Sequence, residues 1–427
     1  MKKIALFVLF FLVYTQLASS QTIRQQLEAI PGVKVVQKKA AKQFTESYTL
    51  LVTQPLDHSN PDKGTFTQRV FLSFNDPSAP MVMTTEGYQA EYANNGLFVE
   101  ELAQILKCNQ VVVEHRYFAG SKPQNAEWDY LTVENAANDH HRIIEMLKPI
   151  FSGKWITTGI SKGGQTSIYH RTFFPNDVDA TVAYVAPINI AQEDPRQIYF
   201  LKAVGPDSTR NRIIDYQRSV LKNRTAITQL MTKLAAKNNY TFVMSVDSTL
   251  DYLILEYPFS FWQWGVKSSL IPKTGSSPET LWNHLNEIVG LTAYTQPGML
   301  PTEAFFYQAY SEIGYYGYDT TNLSKYLSVK GGYISNKILI PKGAKPVFNP
   351  LTLQKVRDFI ALKGENILYL YGEIDPWSAS AAMPTTATNS KRIVSLGNSH
   401  ITRISNLSDE QKAEALDWLK KTLNISF

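Results

Sequence analysis

The chain has 427 residues, of which 44% are hydrophobic, 12% aromatic and 19% charged. This length predicts two or three structural units of about 150 residues each, and the composition excludes a disordered chain and a small disulfide-stapled module. The formal net charge is +5, and no run of Lys or Arg marks a phosphate-binding face, so nucleic acid is not an expected partner.

Residues 1–20 have the layout of a signal peptide. Two lysines precede an apolar run over 4–13, and small residues lead to a plausible cleavage point before Gln21. The run is about half as long as a membrane-spanning helix, so we expect no stable membrane anchor. Cys108 is the only cysteine and cannot form an internal disulfide, which, with export, favours a secreted or periplasmic bacterial protein.

After the leader, the pattern changes from an antiparallel pair to strands alternating with helices. Residues 43–74 alternate apolar and polar positions around a turn-rich centre, which predicts a hairpin. Short apolar runs follow at 81–84, 111–113, 155–158 and 181–185, with helical patterns at 95–107 and 133–149. Continuous apolar strands alternating with helices indicate an α/β fold with a parallel sheet that is buried on both faces.

This alternation stops at about residue 190 and resumes near residue 346. The interval 190–345 is aromatic and largely helical, which predicts a separate helical unit inserted between sheet strands. Strand patterns return at 366–371 and 391–395, and a final helix is predicted from Asp409 to about Leu423. The expected units are therefore a first sheet part (21–189), the inserted unit (190–345) and a second sheet part (346–427).

The strongest chemical motif is Gly159-Ile160-Ser161-Lys162-Gly163, which follows a predicted strand and precedes a predicted helix. Small residues on both sides of Ser161 allow the tight strand-to-helix turn that exposes a nucleophilic hydroxyl. The motif also occurs by chance in unrelated sequences. It indicates a nucleophilic serine here because it lies between a predicted strand and a predicted helix.

A serine nucleophile needs a base and an acid that orients the base. Asp375 and His400 each follow a predicted strand and occur after Ser161 in the order expected for this fold, whereas His284 is a less plausible base. Asp375 could instead form a turn before a proline, and His400 could be a polar residue beside a helix. Their combination with Ser161 favours a catalytic triad.

The oxyanion hole needs two backbone N–H groups. We expect one from Lys162, which follows the serine, and the other from Gly87 or Tyr88 in the loop after the strand 81–84. The Lys162 side chain could be mistaken for the base of a serine–lysine dyad, but on this turn it should point away from the hydroxyl. With no His-Glu-x-x-His motif and no cysteine cluster, we expect neither a metal nor another cofactor.

Five segments, together and in this order, resemble one family. The chain is similar to the bacterial secreted prolyl tri/tetrapeptidyl aminopeptidases, serine peptidases related to lysosomal Pro-Xaa carboxypeptidase and dipeptidyl-peptidase II. The resemblance covers roughly residues 43–425 and is carried by Gln54–His58, Glu114–Phe118, Tyr130–Glu134, Gly159–Gly164 and Asp375–Trp377.

This resemblance implies an α/β-hydrolase fold with a large helical lid, and release of short peptides from free N-termini, commonly after proline. It places the triad on Ser161, Asp375 and His400, and a proline-ring contact on Trp377. It also implies that Glu86 binds the substrate ammonium, although a solvated loop acid is an equal reading. A lipase or carboxylesterase on the same fold, and a non-catalytic binding protein, are the alternative functions.

Overall fold

The computed structural model describes residues 21–124 and 127–427, so the predicted signal peptide lies outside the described residues. A nine-stranded sheet has the strand order β1-β2-β3-β5-β4-β6-β7-β10-β11, and β8 pairs with β9 separately. The strands are β1 (Val33–Lys38), β2 (Glu46–Pro55), β3 (Thr65–Phe74), β4 (Met81–Thr85), β5 (Asn109–Val113), β6 (Trp155–Ile160), β7 (Ala180–Tyr184), β8 (Gly317–Asp319), β9 (Tyr333–Ser335), β10 (Ile367–Gly372) and β11 (Lys391–Ser395).

The first strands are antiparallel and the rest are parallel. β1 pairs with β2, β2 with β3 and β3 with β5 in antiparallel register, whereas β5, β4, β6, β7, β10 and β11 are parallel neighbours. The predicted hairpin is β2–β3. This mixed topology, with a sharp strand-to-helix turn after β6, confirms the predicted α/β-hydrolase fold.

Helices cover both faces of the sheet. The α-helices of the described residues are α1 (Ile23–Glu28), α2 (Glu101–Leu106), α3 (Val133–Leu147), α4 (Lys162–Phe173), α5 (Arg196–Ala203), α6 (Asp207–Lys222), α7 (Arg224–Lys237), α8 (Val246–Gln263), α9 (Pro278–Ile288), α10 (Gln296–Met299), α11 (Glu303–Gln308), α12 (Pro350–Leu362) and α13 (Asp409–Leu423).

The sides of the sheet follow from side-chain alternation along each strand. On β10, Leu368 and Leu370 pack with apolar residues of α2 and α13. The alternate residues Ile367 and Tyr369 pack with α4 and α12 on the opposite face. Because both faces are covered, a continuous apolar strand such as β10 is fully buried.

The segment between β7 and β10 has its own hydrophobic core. Helices α5–α11 and the ribbon β8–β9 lie in this segment, and buried aromatic residues such as Tyr257 and Trp262 form much of its core. Trp377, from the sheet part of the chain, packs against the same cluster. This segment, called the inserted segment below, therefore packs against the strand ends at which the candidate site lies.

Two local features interrupt the helices of the segment between β7 and β10. Helices α6 and α7 follow each other directly and are separated at Asn223. Helix α8 contains Pro258, which cannot donate a backbone hydrogen bond, and the carbonyl of Ile254, one turn earlier, instead accepts the side chain of Gln217 at 2.7 Å. In residues 21–124 and 127–427, none of the helices is both long and apolar enough to span a bilayer.

Candidate active site

Ser161 occupies a strained turn between β6 and α4. Its backbone has φ 57° and ψ −121°, a conformation that residues other than glycine rarely adopt. A Cβ on Gly159 would lie 2.3 Å from the backbone of Gly163, and one on Gly163 would lie 2.9 Å from the carbonyl of Thr85. The glycines of the motif therefore permit close packing of the turn, and the Ser161 side chain lines a cavity.

Asp375 and His400 come together at the ends of β10 and β11. The Nδ1 atom of His400 lies 2.7 Å from Oδ2 of Asp375, and Asp375 is completely buried. The other carboxylate oxygen, Oδ1, accepts the backbone N–H of Trp377 at 3.2 Å. The sequence left open whether Asp375 forms a turn before Pro376 or orients a histidine. In the structure its carboxylate makes both contacts.

The strand order explains why these three side chains share one edge. β6, β7, β10 and β11 are consecutive parallel strands, and Ser161, Asp375 and His400 follow the carboxyl ends of β6, β10 and β11. Within the described residues, Ser161 and His400 are not hydrogen bonded to each other. In ligand-free enzymes such a bond is often long and shortens only when substrate binds.

Close backbone packing fixes the loop that follows β4 against the first turn of α4. A Cβ on Gly87 would lie 2.6 Å from the Cβ of Lys162, so no larger residue fits without displacing one of the two segments. Lys162 is the first residue of α4, where backbone N–H groups have no partner within the helix. The side chain of Tyr88 lines the same cavity as Ser161.

The side chain of Lys162 is buried beneath this loop. Its Nζ donates to the carbonyl of Gly87 at 2.7 Å and lies 5.6 Å and 5.4 Å from the ring centroids of Tyr88 and Phe118. Burial lowers the pKa of Lys162 to about 7, and the nearby Glu86 carboxylate opposes this shift. Lys162 therefore holds the loop through a hydrogen bond and through contact with two aromatic rings.

Glu86 is partly buried and accepts the hydroxyl of Tyr92. Burial raises the pKa of its carboxyl group. Glu86 is not among the residues that line the cavity with Ser161. Its predicted contact with a substrate ammonium stays a prediction.

The cavity beside Ser161 has a volume of about 280 Å³ and an aromatic wall. Tyr316 and Trp377 have ring centroids 5.3 Å apart, and the centroid of His400 lies 6.4 Å from that of Trp377. The wall combines residues of the sheet part and of the inserted segment: Tyr88, Phe305, Phe306, Tyr315, Tyr316 and Trp377.

The cavity also contains Glu256, which the sequence analysis missed. Its Oε2 accepts the hydroxyls of Tyr316 at 2.8 Å and Tyr318 at 2.7 Å, and Ser260 Oγ lies 3.4 Å from Oε1. Burial raises the pKa of Glu256 to about 7, although the hydrogen bonds oppose the shift. The sequence did contain a signal for Glu256, because an acidic residue within the long apolar stretch that forms α8 is unusual.

These features define an α/β-hydrolase with a serine at the tight turn between β6 and α4 and a histidine–aspartate pair at the same sheet edge. A family model described as PS-10 peptidase S37 matches residues 18–423, and the chain belongs to this family of serine peptidases.

The chain is similar to several curated peptidases. It is 32% identical over 417 residues to the prolyl tri/tetrapeptidyl aminopeptidase of Streptomyces mobaraensis, an alignment that covers 96% of this chain and 86% of that protein. It is 31% identical over 155 residues to the lysosomal Pro-X carboxypeptidase of Bos taurus, covering 32% of this chain and 31% of that protein. The family resemblance predicted from the sequence is confirmed.

Proposed function

We propose that the protein is an exported serine exopeptidase that releases short peptides, tri- or tetrapeptides with proline preferred at their carboxyl end, from free N-termini. One observation carries the proposal: Ser161 and Trp377 line the same cavity, beside the bonded pair His400–Asp375. The similarity to a prolyl tri/tetrapeptidyl aminopeptidase over 96% of the chain supports the same activity.

In this proposal, the triad works by acyl-enzyme chemistry. The Oγ of Ser161 attacks the scissile carbonyl carbon while His400 takes the hydroxyl proton, and Asp375 orients the imidazole through Nδ1. The peptide C–N bond then breaks, and the leaving amine receives the proton from His400. Water next hydrolyses the ester, which frees the N-terminal fragment as a carboxylate and restores Ser161.

The oxyanion and the proline ring have proposed contacts as well. The backbone N–H of Lys162 and that of Gly87 or Tyr88 stabilise the negative charge on the carbonyl oxygen, since the close packing at Gly87 holds both segments together. Trp377 provides a flat aromatic surface for the proline ring.

We also propose that the inserted segment 190–345 acts as a lid over the site. Its residues Tyr315 and Tyr316 line the cavity with Ser161, so substrate must pass between this segment and the sheet edge. The cavity wall then contributes to specificity together with the catalytic residues.

Incubation with peptides that contain an internal proline tests the activity. We expect mass spectrometry to detect short N-terminal fragments from free-amine peptides, none from N-acetylated peptides, and no cleavage by Ser161→Ala. Internal cleavage of acetylated peptides, or hydrolysis of fatty esters without peptide cleavage, would contradict the exopeptidase assignment.

Export is tested separately through the predicted leader. When the full chain is produced in a bacterial host, N-terminal sequencing of the exported protein is expected to begin at Gln21. If the protein stays inside the cell and keeps residues 1–20, this part of the proposal is wrong.

A further inference from the structure

Glu256 is a carboxylate that faces the catalytic cavity without a cationic partner. Among the described residues that line the cavity, it is the one acidic side chain. No Lys, Arg or His of the described residues forms an ion pair with it, and its hydrogen bonds come from Tyr316, Tyr318 and Ser260. Burial makes its negative charge costly, and a cation bound in the cavity would lower that cost.

The hydrogen bonds orient this carboxylate unequally. Two tyrosine hydroxyls bind Oε2, whereas Oε1 has only the long 3.4 Å contact with Ser260. Oε1 therefore retains most of its capacity to accept hydrogen bonds. A primary ammonium supplies both the positive charge and the donors that this oxygen lacks.

A second carboxylate of the inserted segment provides a contrast. Glu193 accepts the hydroxyls of Tyr310 at 2.9 Å and Tyr333 at 2.8 Å, and also that of Ser335, so both of its oxygens are hydrogen bonded. It does not line the cavity. Glu193 and Glu256 thus share tyrosine partners, but Glu256 alone of the two faces the catalytic serine.

Helix α8 contains Glu256 and contacts the loop of His400 at its carboxyl end. The carbonyl of Gln263, the last residue of α8, accepts the backbone N–H of His400 at 3.1 Å. Glu256 lies about two helical turns earlier, or roughly 10 Å along the axis. Glu256 and Gln263 both line the cavity with Ser161, so this helix runs along the cavity towards the loop that carries His400.

We propose that Glu256 binds the N-terminal ammonium of the substrate and thereby determines how many residues lie between that terminus and the scissile bond. The inference rests on the proposed exopeptidase function and assigns to Glu256 the contact that the sequence analysis predicted for Glu86. The chemical class it selects is a peptide with a free, protonated α-amine.

The substitution Glu256→Gln tests this assignment because it retains an acceptor for both tyrosine hydroxyls and removes the charge. We expect kcat/KM for a free-amine tripeptide anilide ending in proline to fall about 100-fold. The rate at which a small neutral fluorophosphonate phosphonylates Ser161, with an O–P bond formed and fluoride released, should stay within about twofold. Glu256→Asp should recover part of the loss, and Glu193→Gln is the matched control, with kcat/KM within about threefold of wild type.

A binding measurement shows whether a loss of turnover in Glu256→Gln comes from weaker substrate binding or from a disturbed catalytic step. Calorimetry compares Ser161→Ala with the double variant Ser161→Ala/Glu256→Gln. We expect the affinity for the free-amine tripeptide to be about 100-fold lower in the double variant. Affinity for the N-acetylated tripeptide should not change. Equal losses for both peptides, or selective loss in Glu86→Gln rather than Glu256→Gln, would overturn the assignment.

The two proposals fail differently. If wild-type enzyme does not release short peptides from free-amine substrates, or Ser161→Ala still does, the proposed function is wrong. If wild type cleaves free-amine peptides selectively and Glu256→Gln keeps that selectivity, only the assignment of Glu256 is wrong.

Discussion

The backbone N–H of His400 donates a hydrogen bond to the carbonyl of Gln263 at 3.1 Å, which joins the histidine loop to the end of α8. A Cβ on Gly372 would lie 2.3 Å from the carbonyl of Ser399, so the same loop also packs tightly on the end of β10. The position of His400 therefore depends on both the sheet and the inserted segment, and a displacement of α8 would move the histidine.

Replacing Asp375 with Asn should reduce kcat about 10⁴-fold, because the amide cannot hold the imidazole in the tautomer that accepts the serine proton. The assay is steady-state hydrolysis of the free-amine tripeptide anilide. Glu373→Gln is the control, since Glu373 is exposed and accepts the N–H of Gly397 at 2.8 Å on the neighbouring loop. Similar losses in both variants would argue against a specific role for Asp375.

Gly87→Ala is expected to lower kcat about 100-fold or more with a smaller effect on substrate binding. The added Cβ would lie 2.6 Å from the Cβ of Lys162 and would push the proposed oxyanion loop away from α4. Gly332→Ala is the matched control, because a Cβ there has no atom within 4 Å. If Gly87→Ala retains wild-type kcat and unfolds at the same temperature, the loop has no such role.

Trp377→Ala should reduce the preference for proline over alanine at the cleavage position by about tenfold, the loss expected for one aromatic contact. The ratio of the two kcat/KM values measures this preference. Trp377→Phe keeps a ring and is expected to retain most of it. Equal losses for both substrates would indicate that Trp377 acts through its neighbours His400 and Tyr316 rather than on the proline.

Much of the sheet was predictable because its strands carry local signals. The apolar runs at 81–84 and 155–158 match β4 and β6, and the predicted final helix matches α13, where Ser408 accepts the N–H of Gln411 at 3.3 Å. β1 was not predicted, because it lies at the sheet edge and none of its residues is fully buried, so its pattern is weak.

The strand order and the cavity could not be predicted from local patterns. β4 and β5 exchange places relative to their chain order, which depends on long-range packing. The tight turn at Ser161 could be predicted because Gly159 and Gly163 each lie two positions from the serine in the sequence. Glu256 could not, because its partners Tyr316 and Tyr318 are distant in the chain and reach it only through the folding of the inserted segment.

Glu100 predicts a pH dependence of stability that is independent of catalysis. It is buried, and burial raises its pKa from 4.5 to about 7, although its carboxylate accepts N–H groups of the first turn of α2. The folded state therefore holds this proton more tightly than the unfolded state. The stabilisation is complete below about pH 4.5 and is lost as pH rises through about 7, by at most about 3 kcal/mol.

Urea unfolding of wild type and Glu100→Gln between pH 4.5 and 8 measures this contribution. The free energy of unfolding of wild type should fall relative to the variant as pH rises, because Gln stays neutral throughout. Glu279→Gln, at an exposed position in the first turn of α9, is the control. A constant difference between wild type and Glu100→Gln over this range would contradict the prediction.

Glu256 predicts a pH dependence of substrate binding. Burial raises its pKa to about 7. Its hydrogen-bond partners are the hydroxyls of Tyr316, Tyr318 and Ser260, and burial and the charge of Glu256 raise the pKa of both tyrosines. The same two causes raise the pKa of the nearby Tyr294 and Tyr315. Below about pH 7 the carboxyl group becomes protonated and loses its attraction for an ammonium. In Ser161→Ala, the affinity for a free tripeptide should therefore fall as pH is lowered from 7 to 5.

The peptide's α-amine has a pKa of about 8, so above pH 7 its protonation strengthens binding as pH falls and opposes the effect of Glu256. Below pH 7 the amine is almost fully protonated, and the titration of Glu256 alone remains. Calorimetry across this range measures binding separately from turnover. Adding Glu256→Gln should remove the pH dependence, and the N-acetylated tripeptide should show none with either protein. A fall in affinity that persists in Glu256→Gln would place the titrating group elsewhere in the cavity.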